Sequence, residues 1–376
     1  MGAGAARHGD RARHPDRHAR SPLTDRLVYS KEELLESDGC HAPLVAGGVR
    51  CHGGFDADGA YRSPRVRHRG PAILAWQARL AREGAALVEV PRELMPPQYP
   101  NLAQSKLLLR AGVRDPIVRA LTIISIVEGF GAIIRDVEVP DLGALVREPI
   151  EGTALAHLRG ALFEAHARDE SGYRDEGGHK QMWEAARDLA FEKPRIPGDV
   201  LMRMMGRGRR DGARERLFPQ IDETLEALLG TMVQVLVVEV FAMGTFAWGE
   251  ALLSDPEVSA APKQAADLVR FIRSDESPHV EYLRTALSEL RARTLHTIDG
   301  RAIAGRTVVD GILHRVLSAI TKERPKQQRE DVRRDLAVAL ETAGRPSSLI
   351  EEFDQLESRW TPPSRTGFEP PLAASA

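Results

Sequence analysis

The pentapeptide Asp-Glu-x-x-His occurs twice in this chain, at Asp175–His179 and at Asp275–His279. A lone glutamate precedes each copy inside a long apolar run, Glu128 before the first and Glu239 before the second. Glu and His three residues apart share one face of a helix, so each motif offers a carboxylate and an imidazole to a single point. Two such helices facing each other, with one Glu from each of two more, would surround a pair of cations inside a four-helix bundle. The order Glu, Glu-x-x-His, Glu, Glu-x-x-His therefore favours a mainly all-α chain with long helices.

The apolar runs strengthen this reading. Glu128 sits in Leu-Thr-Ile-Ile-Ser-Ile-Val-Glu-Gly-Phe and Glu239 in Val-Gln-Val-Leu-Val-Val-Glu-Val-Phe. A buried carboxylate is costly unless it is paired or bound to a cation. The expected ligands are Glu128, Glu176, His179, Glu239, Glu276 and His279. The aspartates before each motif glutamate, Asp175 and Asp275, are placed to accept a hydrogen bond from a ligand histidine of the partner helix.

Four helical segments are expected, over about 115–137, 152–191, 219–253 and 262–293. Asp115-Pro116 and Pro262 mark starts, and Pro194 and Asp255-Pro256 follow ends. A helix of 30 residues spans about 45 Å. Glu239 lies 14 residues before Leu253 and Glu276 lies 14 residues after Pro262, which sets the second pair at one level. The first pair is out of register if its second helix is continuous, and Ser171-Gly172 is a candidate break. Glu164 and Glu170 remain alternatives to Glu176. Asp169-Glu170-Ser171-Gly172-Tyr173 parallels Asp275-Glu276-Ser277-Pro278-His279.

Outside the bundle, residues 1–22 and 361–376 read as tails. Residues 23–110 read as a mixed extension, with a helix over Pro71–Glu83 and a strand at Val88–Val90. Residues 301–360 read as two or three further amphipathic helices. The bundle itself falls at 111–300. Cys40-His41 and Cys51-His52 suggest either a small zinc site or two ordinary thiols. Phe130, Phe241, Met243, Phe246 and Trp248 could line a pocket, and Tyr173 is a candidate relay.

The motif order resembles the ferritin-like di-iron carboxylate superfamily. The resemblance covers about residues 115–293 and is nearest in motif to the p-aminobenzoate N-oxygenase family. Ile272 stands where that family adds a third histidine. The resemblance implies a ferritin-like four-helix bundle with extra C-terminal helices and a mixed N-terminal extension. It also implies two iron ions (manganese–iron or di-manganese pairs being alternatives), dioxygen and a small organic substrate. The reaction class is then a monooxygenase or oxidase, with an electron-donor protein as a possible partner and a homodimer left open. A metal-handling protein without organic substrate and a metal-free helical binding protein are the rivals. The net charge of −2 gives no argument for nucleic acid. The richest apolar run carries Glu239 and Glu250, so no membrane span and a cytoplasmic location are expected. No Gly-x-Ser-x-Gly points to a serine hydrolase.

Overall fold

The computed structural model describes residues 26–358 except 197, 199, 201–214 and 345–347. The expected tails at 1–22 and 361–376 lie outside the described residues. The chain is mostly helical. Its N-terminal part holds a one-turn helix α1 (Lys31–Leu34), capped by Ser30, and a small antiparallel sheet. The sheet runs β1 (Ala42–Ala46), β2 (Val49–Phe55) and β3 (Tyr61–Arg62). Helices α2 (Arg69–Arg82) and α3 (Leu102–Arg110) follow. The stretch at Val88–Val90 is not a strand. Its backbone is satisfied by side chains instead: the Ser288 hydroxyl accepts from Val88 N–H, and Arg284 donates to the Val88 carbonyl.

The four expected segments are present, and two of them are interrupted. The first is α4 (Asp115–Gly131), which continues as a 3₁₀ turn to Asp136. After the one-turn α5 (Leu142–Leu145), the second segment comes in pieces. Helix α6 (Phe163–Ser171) ends at Gly172, whose φ of +85° is a left-handed value that favours glycine. The chain resumes as α7 (His179–Phe191). The third is α8 (Glu223–Leu253), with Asp222 accepting from Leu225 N–H at its start. The fourth divides into α9 (Pro262–Asp275) and α10 (Ser277–Arg291), with Glu276 at the joint. Pro278 has no N–H, which accounts for the interruption one turn into that joint. A two-stranded ribbon, β4 (Thr294–His296) and β5 (Ala302–Ala304), leads to α11 (Gly305–Ser318), α12 (Arg324–Thr342) and α13 (Ser348–Ser358).

Helix α4 packs on α6 and α7, α8 packs on α9 and α10, and α7 packs on α9. Two apolar cores result. One joins α2, residues 154–167, Leu225–Val240 of α8 and Tyr282–Leu290 of α10. The other joins the sheet, Ile117–Leu121 of α4, Met182–Phe191 of α7, Phe246–Leu253 of α8 and Ala265–Ile272 of α9. Each long segment passes from one core to the other or ends at the boundary between them. The residues at that boundary are Glu128, Asp169, Glu170, His179, Glu239, Asp275, Glu276 and His279, all buried. The fold thus places a charged layer between two dry ones.

Two helices, 115–136 and 223–253, are long and apolar enough to cross a membrane by length and composition. Each carries one of the glutamates that face the charged layer.

Candidate metal centre

Four buried glutamates meet three buried imidazoles in this layer. Glu276 turns its Oε1 to His179 Nδ1 at 2.9 Å and its Oε2 to His279 Nδ1 at 2.7 Å. Glu170 Oε1 stands 3.2 Å from each of the same two nitrogens. Both carboxylates therefore reach both imidazoles, which is the placement of groups that span two cations. Glu128 Oε2 approaches His179 Nδ1 at 3.7 Å from α4. Glu239 Oε1 approaches a third imidazole, His166 Nε2, at 3.4 Å from α8. The His166 and His279 rings stack with centroids 3.9 Å apart. Gly131 of α4 leaves room for Glu170, since a Cβ there would lie 2.7 Å from Glu170 Cγ.

The histidine nitrogens facing away from the centre are held by an outer set of groups. His279 Nε2 is 2.9 Å from Asp169 Oδ2, and His179 Nε2 is 3.6 Å from Asp275 Oδ2. With Nε2–H donated to Asp169, the His279 Nδ1 lone pair points inward, the tautomer a metal ligand requires, whereas His179 Nε2 makes no hydrogen bond to Asp275. Tyr282 Oη is 3.1 Å from His166 Nδ1. If that nitrogen donates to the phenol, Nε2 turns its lone pair to the centre. His166 Nε2 is buried without a hydrogen-bond partner, and such atoms are rare unless an ion or water completes them.

The protonation tendencies follow from crowding negative charge in a dry place. Burial, and then the charges of Glu170 and Glu276, push Glu128 well above the usual carboxylate range. Burial and Glu276 raise Glu239 to about 7. Burial and the neighbouring His279 lower His166 to about 4. For His179 and His279, burial favours the neutral ring, but Glu276 and other nearby acids more than offset it and raise both well above the ordinary histidine value. Imidazolium thus stands where a cation is wanted.

Charge counting gives the same answer. The layer contains the four glutamates plus Asp169 and Asp275, six carboxylates in all. Arg65 and Arg69, both buried, pair with Asp169. With the carboxylates ionised and the imidazoles neutral, as metal ligands must be, six carboxylates against two guanidiniums leave four negative charges, which two divalent cations would cancel; without metal, protons on Glu128, His179 and His279 take up part of that charge. Buried charge without such compensation is strongly unfavourable. The carboxylate and imidazole donors suit iron and manganese.

Five of the six ligands expected from sequence come together: Glu128, His179, Glu239, Glu276 and His279. Glu176 does not. It is part-exposed, 3.1 Å from Arg50, and lines a surface cleft of about 280 Å³ with Tyr173, Arg174 and Gln181. Its place is taken by Glu170, nine residues before His179. Residues 172–178 form a turn in which Tyr173 and Glu176 pair through their backbones, so Glu176 and His179 never share a helix face. Correspondingly, Asp169 rather than the exposed Asp175 steadies His279, while Asp275 faces the partner-helix His179 as expected. Glu164 points outward to Arg168 and Arg135.

His166 was not expected. Its signal was available as a histidine four residues before Glu170, a spacing that shares a helix face. Neither cysteine enters a metal-type group among the described residues, although His52 forms one with His179 and Asp275. Cys51 is a buried thiol pushed up to about 11 by burial, and Cys40 is exposed. His52 belongs instead to the charged layer, 3.2 Å from Asp275. Tyr173 is a surface residue with the Arg168 guanidinium over its ring. Phe130 is exposed, and Phe246 and Trp248 pack in an apolar core. In comparisons of sequence and fold, no protein-family model, no curated protein and no solved structure matches this chain.

Proposed function

We propose that this protein is a ferritin-like di-iron oxidoreductase that activates dioxygen to oxidise a small organic substrate. The observation that carries the reading is the buried layer of six carboxylates and three imidazoles, which with its ligands deprotonated carries four more negative charges than its two arginines cancel. Two divalent iron ions, when bound, would supply dioxygen binding and electron transfer, and manganese–iron or di-manganese pairs suit the same donors.

The chain's own residues would hold and insulate these ions. Glu128 and His179 serve one position, Glu239, His279 and His166 the other, and Glu170 and Glu276 reach both. Asp169 keeps the outer His279 proton in place, which fixes ring orientation and raises ligand basicity. The apolar cores above and below exclude water, which protects a strongly oxidising site from side reactions. An outside reductant, such as an electron-donor protein, restores the reduced state. The two apolar helices keep Glu128 and Glu239 turned inward, which supports reading them as core helices rather than membrane spans.

The test is anaerobic loading with Fe²⁺, elemental analysis, and optical spectroscopy with dioxygen uptake on exposure to air. Two ions per chain and dioxygen consumption coupled to a new absorption band are expected. His279→Ala should lose the ion at one position. Full two-ion occupancy in that variant would overturn the assignment.

A further inference from the structure

The two halves of the charged layer are compensated unequally. Asp169, beside His279, is clasped by the buried guanidiniums of Arg65 and Arg69, with Arg65 Nε at 2.7 Å and Arg69 Nη1 at 2.8 Å. Asp275, beside His179, has no arginine or lysine partner among the described residues. Its Oδ2 accepts from the Tyr61 hydroxyl at 2.8 Å and faces His52 Nε2 at 3.2 Å, and its Oδ1 has no hydrogen-bond partner. The inner donors differ as well. The His279 half has two imidazoles, His279 and His166, with Glu239. The His179 half has one imidazole with Glu128.

The consequence is electrostatic. Two guanidiniums one residue removed from a cation oppose it, whereas an unneutralised carboxylate at the same remove attracts it, and a low dielectric magnifies both. Oxygen-rich donors favour hard ions, and imidazole-rich ones favour ions later in the first transition row.

On the two-metal reading above, we propose that the cation positions are inequivalent. The Glu128–His179 position fills first and takes a hard divalent ion, and the Glu239–His279–His166 position is the weaker and the more nitrogen-seeking. The N-terminal sheet and α2 create this difference, because Tyr61, His52, Arg65 and Arg69 all come from them.

The experiment is a Mn²⁺ titration of the full-length, chelator-stripped protein, followed by paramagnetic resonance and equilibrium dialysis. Two steps are expected, the first at least tenfold tighter, with the coupled-pair signal appearing only in the second. Glu239→Gln should keep the tight step and lose the weak one. Glu128→Gln should lose the tight step. Arg69→Gln should narrow the interval by tightening the second. Two equal steps, or a tight step that survives Glu128→Gln and disappears in Glu239→Gln, would overturn the inequivalence while leaving a two-metal centre standing. An absence of Mn²⁺ and Fe²⁺ binding in the folded wild-type protein would overturn both. If Arg69→Gln does not fold, the two glutamate variants still decide the order.

Discussion

The segment from Glu170 to His179 and the segment from Glu276 to His279 deliver the same pair of groups by different means. In the second, acid and imidazole are three residues apart across the α9–α10 joint, and His279 N–H still donates to the Glu276 carbonyl at 3.0 Å. Helical phase alone sets their relation. In the first, nine residues intervene, and the turn between them is pinned to strand β2. His52 N–H donates to the Gly177 carbonyl and Gly177 N–H to the Arg50 carbonyl, both at 2.8 Å. Tertiary pairing there does what local periodicity does in the other half. The first half should therefore be the more sensitive to distant change.

The largest effect that separates the halves is on metal occupancy. Glu170→Ala should bring bound metal from two ions per chain to one or none by elemental analysis, while Glu176→Ala should retain both. The reverse result would restore the Glu176-x-x-His179 motif and break the comparison. Next comes the clasp on Asp169. Arg69→Met leaves a buried carboxylate short of a partner and should destabilise the metal-free protein by about 3–5 kcal/mol in denaturant titrations. On the other side, Tyr61→Phe removes one hydrogen bond to Asp275 and should cost about 1–3 kcal/mol. Equal losses would show that the two aspartates are compensated alike.

The turn itself offers a smaller test. A Cβ on Gly172 would lie 2.3 Å from the Glu176 carbonyl oxygen at a φ that disfavours side chains. Gly172→Ala should lower stability by at least about 1–2 kcal/mol. In the second half Ser277 matches Ser171, and its hydroxyl has no partner. Ser277→Ala should be near neutral in the same denaturant titrations. Smallest of all, Glu164→Gln touches only the outward pairs with Arg168 and Arg135 and should change stability by less than about 1 kcal/mol. Its metal content should be unchanged.

This contrast also explains what could be read from the sequence. The four segments, their proline and aspartate boundaries and the break after Ser171 were legible because they depend on local chemistry. Glu128 and Glu239 were legible because an acid in an apolar run needs a reason. Glu276 and His279 share a helical repeat and were found together. Glu170 was visible only as an alternative, through the repeated Asp-Glu-Ser, because its partner imidazole lies beyond a turn that β2 folds into place. His166 escaped because it lies one turn before its glutamate, whereas the Glu-x-x-His pattern puts the histidine after it. The roles of His52, Tyr61, Arg65 and Arg69 are set by contacts 100 or more residues away in sequence, and no local pattern announces them. Val88–Val90 has strand composition, yet it lies against α10, where side chains replace a neighbouring strand.

The most direct measurement is anomalous diffraction from crystals of the protein soaked in Mn²⁺. Two peaks are predicted inside the charged layer, one bounded by Glu128 and His179 and the other by Glu239, His279 and His166, with Glu170 and Glu276 adjoining both. A soaked crystal with ordered side chains and no peak among these residues, or a peak held by Glu176 on the surface, would contradict the account.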